Sequence, residues 1–137
     1  MIKNIIRDEK FLMIKSIPAS IDDLYIMDDL IDTLKFNKDK CVGMAANMIG
    51  VSKRIIIFEN EKKQYVVMFN PVIIKCDDKF ETEEGCLSLT GTRKATRYKK
   101  IKVEFFNEKF QKRIQTFTNF TAQIIQHEID HLNGIII

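Results

Sequence analysis

Histidine is nearly absent from this chain: only His127 and His131 occur among 137 residues, tryptophan is missing, and there are just two prolines and five glycines. With no low-complexity tract and no internal repeat, that scarcity excludes a fibrous or linker-rich protein and predicts one domain over 1–137. Three cysteines, Cys41, Cys76 and Cys86, cannot all pair, which excludes a small disulfide scaffold and predicts free or metal-bound thiols in a reducing cytoplasm. The first nine residues break every apolar run within two or three positions, so no signal-peptide core is expected, and no stretch is long enough for a transmembrane span. Charge of one sign is lacking too. The 22 basic and 19 acidic residues interleave to a net +3, which argues against a nucleic-acid stripe, and no membrane partner is expected. The densest basic stretch, Arg93, Lys94, Arg97, Lys99 and Lys100, alternates into a strand and reads as a solvated face rather than a phosphate site.

What is present is ordinary globular material, 45% hydrophobic and 30% charged, with the Ile, Lys and Asn richness of a bacterial protein. Ser20 followed by Asp22 and Asp23 reads as a helix start, and Ile21, Leu24, Met27, Leu30, Ile31 and Leu34 supply an apolar face that ends near residues 37–40. Residues 54–59 and 64–69 are β-branched runs joined by a charged turn and predict a hairpin. Asn70-Pro71 predicts an interruption, Asp77-Asp78 a turn, 97–106 a strand, 107–109 its turn, and 110–117 the returning strand. Strands therefore precede a closing helix without βαβ alternation, which predicts an α+β fold of antiparallel sheets packed around a C-terminal helix.

That helix holds the chemistry. In Gln126-His127-Glu128-Ile129-Asp130-His131-Leu132 the two histidines stand at i and i+4, so both rings reach one ion on one helix face. Glu128 stands beside them to take the proton that a polarised water loses as it attacks a carbonyl. Gly134, just past the last periodic residue, is placed as a C-terminal cap. Two histidines leave a catalytic ion one protein ligand short. No His, Asp, Glu or Cys follows His131, so the third ligand lies upstream. Cys86, after the flexible Gly85, is the strongest candidate, although spacing alone does not reject Cys41 or Cys76.

Three segments, 43–50, Glu84-Gly85-Cys86-Leu87-Ser88 and Gln126 to Leu132, resemble in order and spacing the signature motifs of the peptide deformylases. With Asn70-Pro71 and Arg93 also in place, the similarity covers roughly 20–137. The resemblance implies that Cys86, His127 and His131 hold one divalent metal ion, Fe(II) natively, with Ni, Co or Zn as substitutes. It implies that Glu128 is the general base and acid, and that the backbone N–H of Leu87 faces the formyl oxygen. The substrate would be an N-formylated peptide lying as an added strand beside Val42 and Gly43, with Glu84, Gln123 and Ile124 also at the substrate site. Hydrolysis would release formate from the N-terminal methionine of newly made peptides.

The chain departs from the family pattern where substrate would sit. Met48 replaces a glutamine whose amide donates to the developing oxyanion, and methionine has no donor to offer. Cys41 replaces a glycine at the mouth of the methionine pocket, and Gln123 replaces an aliphatic residue lining it. Thr90 replaces a proline, and the C-terminal extension that many members use for ribosome contact is absent, so that contact is not expected. These changes admit a weakened deformylase, an enzyme for another N-acyl amide, or a non-catalytic binder of peptide N-termini.

Overall fold

The computed structural model describes residues 1–137 and forms the expected α+β arrangement, with all five strands in one antiparallel sheet ordered β1-β2-β3-β4-β5. In chain order the elements are α1 (Glu9–Leu12), a 3-10 turn (Ile21–Asp23), α2 (Ile26–Phe36), β1 (Gly43–Ala45), a second 3-10 turn (Ala46–Ile49), β2 (Ile55–Glu59), β3 (Tyr65–Cys86), β4 (Leu89–Phe106), β5 (Lys112–Thr118) and α3 (Asn119–Leu132).

Strand period decides where the core lies. On β2, Ile55 and Ile57 pack with Leu30 and Leu34 of α2, while Ile56 and Phe58 pack with Ala122, Ile125 and Ile129 of α3. The neighbouring strands divide in the same way. Met44 and Phe69 belong to the α2 side, and Ala45 and Met68 to the α3 side. This end of the sheet is therefore covered on both faces, which is why 55–58 reads as an unbroken apolar run rather than an alternating one.

Several local expectations need correction. Ser20 does cap a helical turn, accepting from the Asp22 N–H at 3.3 Å while Asp23 accepts from the Ser20 N–H at 2.8 Å, but that turn is a separate 3-10 piece and α2 begins only at Ile26. β3 does not stop at Asn70-Pro71 or at Asp77-Asp78. Asn70 and Asp78 take positive φ of 54° and 63°, a register shift falls between Phe69 and Val72, and pairing with β4 continues to Cys86↔Leu89. A bulge absorbs the proline without ending the strand. Asn70 is held by tertiary bonds that no local pattern reports: its side chain accepts from the Ala19 N–H at 2.7 Å and donates to the Ala19 carbonyl at 2.9 Å. β4 likewise begins at Leu89, eight residues before the predicted strand.

The end of α3 follows the sequence reading. Gly134 has φ +75°, its N–H donates to the His131 carbonyl at 3.1 Å, and the Ile135 N–H donates to the Asp130 carbonyl at 3.0 Å. This glycine-terminated hydrogen-bond pair stops the helix one residue after its second histidine. Asn47 Nδ2 also donates to the His131 carbonyl, at 3.0 Å, and so ties the first motif to the helix end.

Candidate metal centre

The three donors arrive on two pieces of regular structure, α3 and the end of β3. His127 and His131 come from one face of α3, and their Nε2 atoms stand 3.0 Å apart. Cys86 ends β3, where the chain reverses into β4 through Leu87 and Ser88. Sγ of Cys86 and the two ring nitrogens all lie within 4.8 Å of one another. One soft sulfur ligand and two imidazoles converging in this way suit a divalent transition metal.

The two imidazoles sit in opposed fields. Burial disfavours charge on His127, yet Cys86 and Glu84 outweigh it and hold its pKa up at about 10. Burial, then His127, pushes His131 down to about 3, which keeps its ring neutral. His127 Nδ1 lies 2.8 Å from Glu84 Oε1, so its N–H faces the carboxylate and the ring is oriented with Nε2 toward His131; Nε2 gives up its proton when it ligates.

Glu84 is in turn fixed from behind. Arg97, 5% exposed, donates to it through Nε at 3.0 and 3.1 Å and Nη2 at 2.7 Å, and to Asp130 through Nη1 at 2.8 Å. Burial would raise the Glu84 pKa, but His127, Arg97 and Gln123 together hold it at about 2. Breaking a buried pair of this kind typically costs about 3–5 kcal/mol, so the network fixes His127 in place as well as in charge. Arg97, which the sequence places on a solvated basic face, is buried instead, and the sequence gives no role to Asp130. The available signal was a charged residue on the same inward-facing side of β4 as Ala95, Ile101 and Val103.

Glu128 is 4% exposed and its Oε1 has no hydrogen-bond partner. Burial, opposed by His127, raises its pKa to about 7, the range in which a carboxyl group both takes and gives protons near neutrality. It lines a cavity of about 550 Å³ together with Cys41, Val42, Gly43, Met48, Leu87, Gln123 and Ile124, and with Cys86 and His127. Gly43 is required there. A Cβ at that position would stand 2.7 Å from Ile124 Cγ2 and 3.1 Å from Glu128 Oε2, so the bare backbone lets β1 approach the helix.

Not every expected residue takes the expected place. Glu84 lines the cavity, and its carboxylate is engaged by His127, Arg97 and Gln123, so it also supports the donor set from behind. Gln123 does not extend a free amide into the cavity, because its Nε2 donates to Glu84 Oε2 at 2.8 Å. Of the three cysteines that spacing left open, Cys76 is exposed on β3. Cys41 lines the cavity with its thiol directed at the Asn37 carbonyl, 3.8 Å away, and burial first, then Glu128 and Cys86, raises its pKa to about 12. Cys86 alone joins the histidines. Met48 is 1% exposed and belongs to the α2-side core as well as to the cavity wall.

An antiparallel sheet backed by a C-terminal helix, with a thiol and two imidazoles gathered beside an unpartnered carboxylate, defines a hydrolase with a metal-binding group. Residues 3–137 match the family model for polypeptide deformylase, and the chain belongs to the peptide deformylase family of enzymes. The match begins well before residue 20, where the visible resemblance started. The chain is 54% identical over 137 residues to a peptide deformylase of Clostridium beijerinckii, covering all of both chains. It is 37% identical to one of Brachyspira hyodysenteriae over 93% of this chain and 73% of that one. Among solved structures it is similar to the class I type b peptide deformylase of Acinetobacter baumannii bound to K1U, with TM-score 0.89 and 31% identity over 99% of this chain and 96% of that one. The same enzyme bound to Met-ala-ser gives TM-score 0.88 and 30% identity, over 99% and 97%. No helix of the chain is long and apolar enough to cross a membrane.

Proposed function

We propose that this enzyme removes the N-formyl group from the N-terminal methionine of newly made peptides in the cytoplasm, with one divalent ion, Fe(II) natively, held by Cys86, His127 and His131. The observation that carries the reading is the convergence of those three donors within 4.8 Å beside the buried, unpartnered Oε1 of Glu128. When bound, the ion supplies Lewis-acid polarisation to water and to the formyl oxygen. Glu128 accepts a proton from the water that attacks the formyl carbon and passes it to the amine of the departing peptide. The Leu87 N–H faces the formyl oxygen. β1 is an edge strand, with β2 on one side only, and its free side beside Val42 and Gly43 takes the peptide as an added strand. The Met-ala-ser peptide in the Acinetobacter baumannii enzyme supports a peptide site on this fold.

A second reading, hydrolysis of a different N-acyl amide, is favoured by Cys41, Met48 and Gln123 in the cavity wall. Formate release from a formyl-Met peptide and acetate release from its acetyl-Met counterpart distinguish the two. Formate release is expected to be faster by about 10- to 200-fold, the usual discrimination against one extra methyl group in a closed site. Faster acetate release would select the second reading.

A further inference from the structure

The Cys86 ligand touches a peptide group that the reaction above does not use. The Ser88 N–H donates to Sγ of Cys86 at 3.4 Å. The carbonyl of that same peptide belongs to Leu87, and it accepts from Nη1 of Arg7 at 3.1 Å. One amide therefore joins a guanidinium on its oxygen side to the Cys86 sulfur on its nitrogen side. A charged donor at the oxygen polarises the amide, which makes its N–H a stronger donor to sulfur. Arg7 is brought to this spot by its neighbours. The Ile6 N–H donates to the Met48 carbonyl at 2.8 Å, and Asp8 accepts from the Lys10 N–H at 3.0 Å to start α1. The N-terminal segment is thus pinned between the first motif and the turn that carries Cys86, with Arg7 facing that turn.

We infer that Arg7 is a positioning residue for the metal centre, acting on the Cys86 thiolate through the Leu87–Ser88 peptide. The inference rests on the reading of Cys86, His127 and His131 as the donor set. By strengthening the hydrogen bond to sulfur, Arg7 lowers the electron density that the thiolate gives to an ion and holds the turn that presents the Leu87 N–H. Outer partners of metal ligands usually change affinity or activity by about 10- to 100-fold, and a group acting through one intervening amide belongs at the low end.

The test uses the full chain loaded anaerobically with one equivalent of Co(II), whose thiolate-to-metal charge-transfer band reports the electron density on sulfur. Wild type, Arg7→Ala and Arg7→Lys are compared by absorption, by melting temperature and by formate release. Arg7→Ala is expected to move the band to longer wavelength and to lower kcat about tenfold. Arg7→Lys is expected to restore most of both, with the three melting temperatures together. A band in Arg7→Ala coincident with wild type overturns the inference, and a lowered melting temperature with an unmoved band reduces Arg7 to a tether. Absence of a thiolate band in wild type would instead remove Cys86 from the donor set, and the inference with it.

Discussion

Replacing Glu128 with alanine is expected to lower kcat for formyl-peptide hydrolysis by about 10²- to 10⁴-fold, the range supplied by a positioned general acid and base. Three features place the effect on the chemical step. Glu128 is not one of the three converging donors, so bound metal should stay at the wild-type level. Its Oε1 has no protein partner, so no hydrogen bond at that atom is lost when the carboxylate is removed. Burial, only partly offset by His127, raises its pKa to about 7, so its charged form is disfavoured in the folded protein. The melting temperature should therefore hold or rise, because an uncompensated buried carboxylate destabilises the site that uses it. Metal content by elemental analysis, kcat and melting temperature on the same preparations check all three points. An unchanged kcat would remove Glu128 from the mechanism, and a loss of metal would assign it a structural role instead.

Met48→Gln is expected to act in the opposite direction. Methionine lines the cavity without offering a donor, whereas a glutamine amide there can meet the oxygen that becomes negative as water adds to the formyl carbon. One preorganised donor of this kind is typically worth about 10²- to 10³-fold in kcat, or roughly 3–4 kcal/mol. The two side chains are both unbranched and similar in volume, so the α2-side core that contains Met48 should accept the change. A buried amide that lacks partners before substrate arrives costs about 1–3 kcal/mol, and the melting temperature should fall accordingly. A rise in kcat with unchanged KM, accompanied by lower stability, is the expected pattern. If kcat stays at the wild-type value in a folded, metal-loaded variant, the missing donor does not limit this enzyme, and attention moves to Cys41 and Gln123.

The readable part of the site was the part written in local sequence. His127 and His131 share a helix face because they are four apart, and Gly134 ends that helix because its positive φ suits glycine; both facts are short-range. Cys86 was only a candidate by spacing. What separates it from Cys76 is the long β3–β4 pairing, which carries position 86 to the helix while leaving 76 exposed, and Cys41, before β1, turns its thiol to the Asn37 carbonyl instead. That pairing was itself obscured. Pro71 and Asp77-Asp78 have the chemistry of breaks, and a bulge fixed by the Asn70–Ala19 bonds lets the strand run through the first of them. The grip of Arg97 on Glu84 and Asp130, and the hold of Glu84 on Gln123, join residues from strand and helix that are far apart in sequence. For that reason the sequence does not reveal that Glu84 and Gln123, which both line the cavity, are also bonded to each other, with the Glu84 carboxylate orienting His127.

The central claim is that one ion, held by Cys86, His127 and His131, makes this chain a deformylase. The most direct measurement is formate release from a formyl-Met peptide by chelator-treated protein as Fe(II) is added back without oxygen. The expected result is a rate near zero before addition, rising in proportion to Fe(II) and levelling at one equivalent per chain, with Cys86→Ala and His131→Ala flat throughout. Formate release that is indifferent to the metal, or absent at every equivalent, would contradict it.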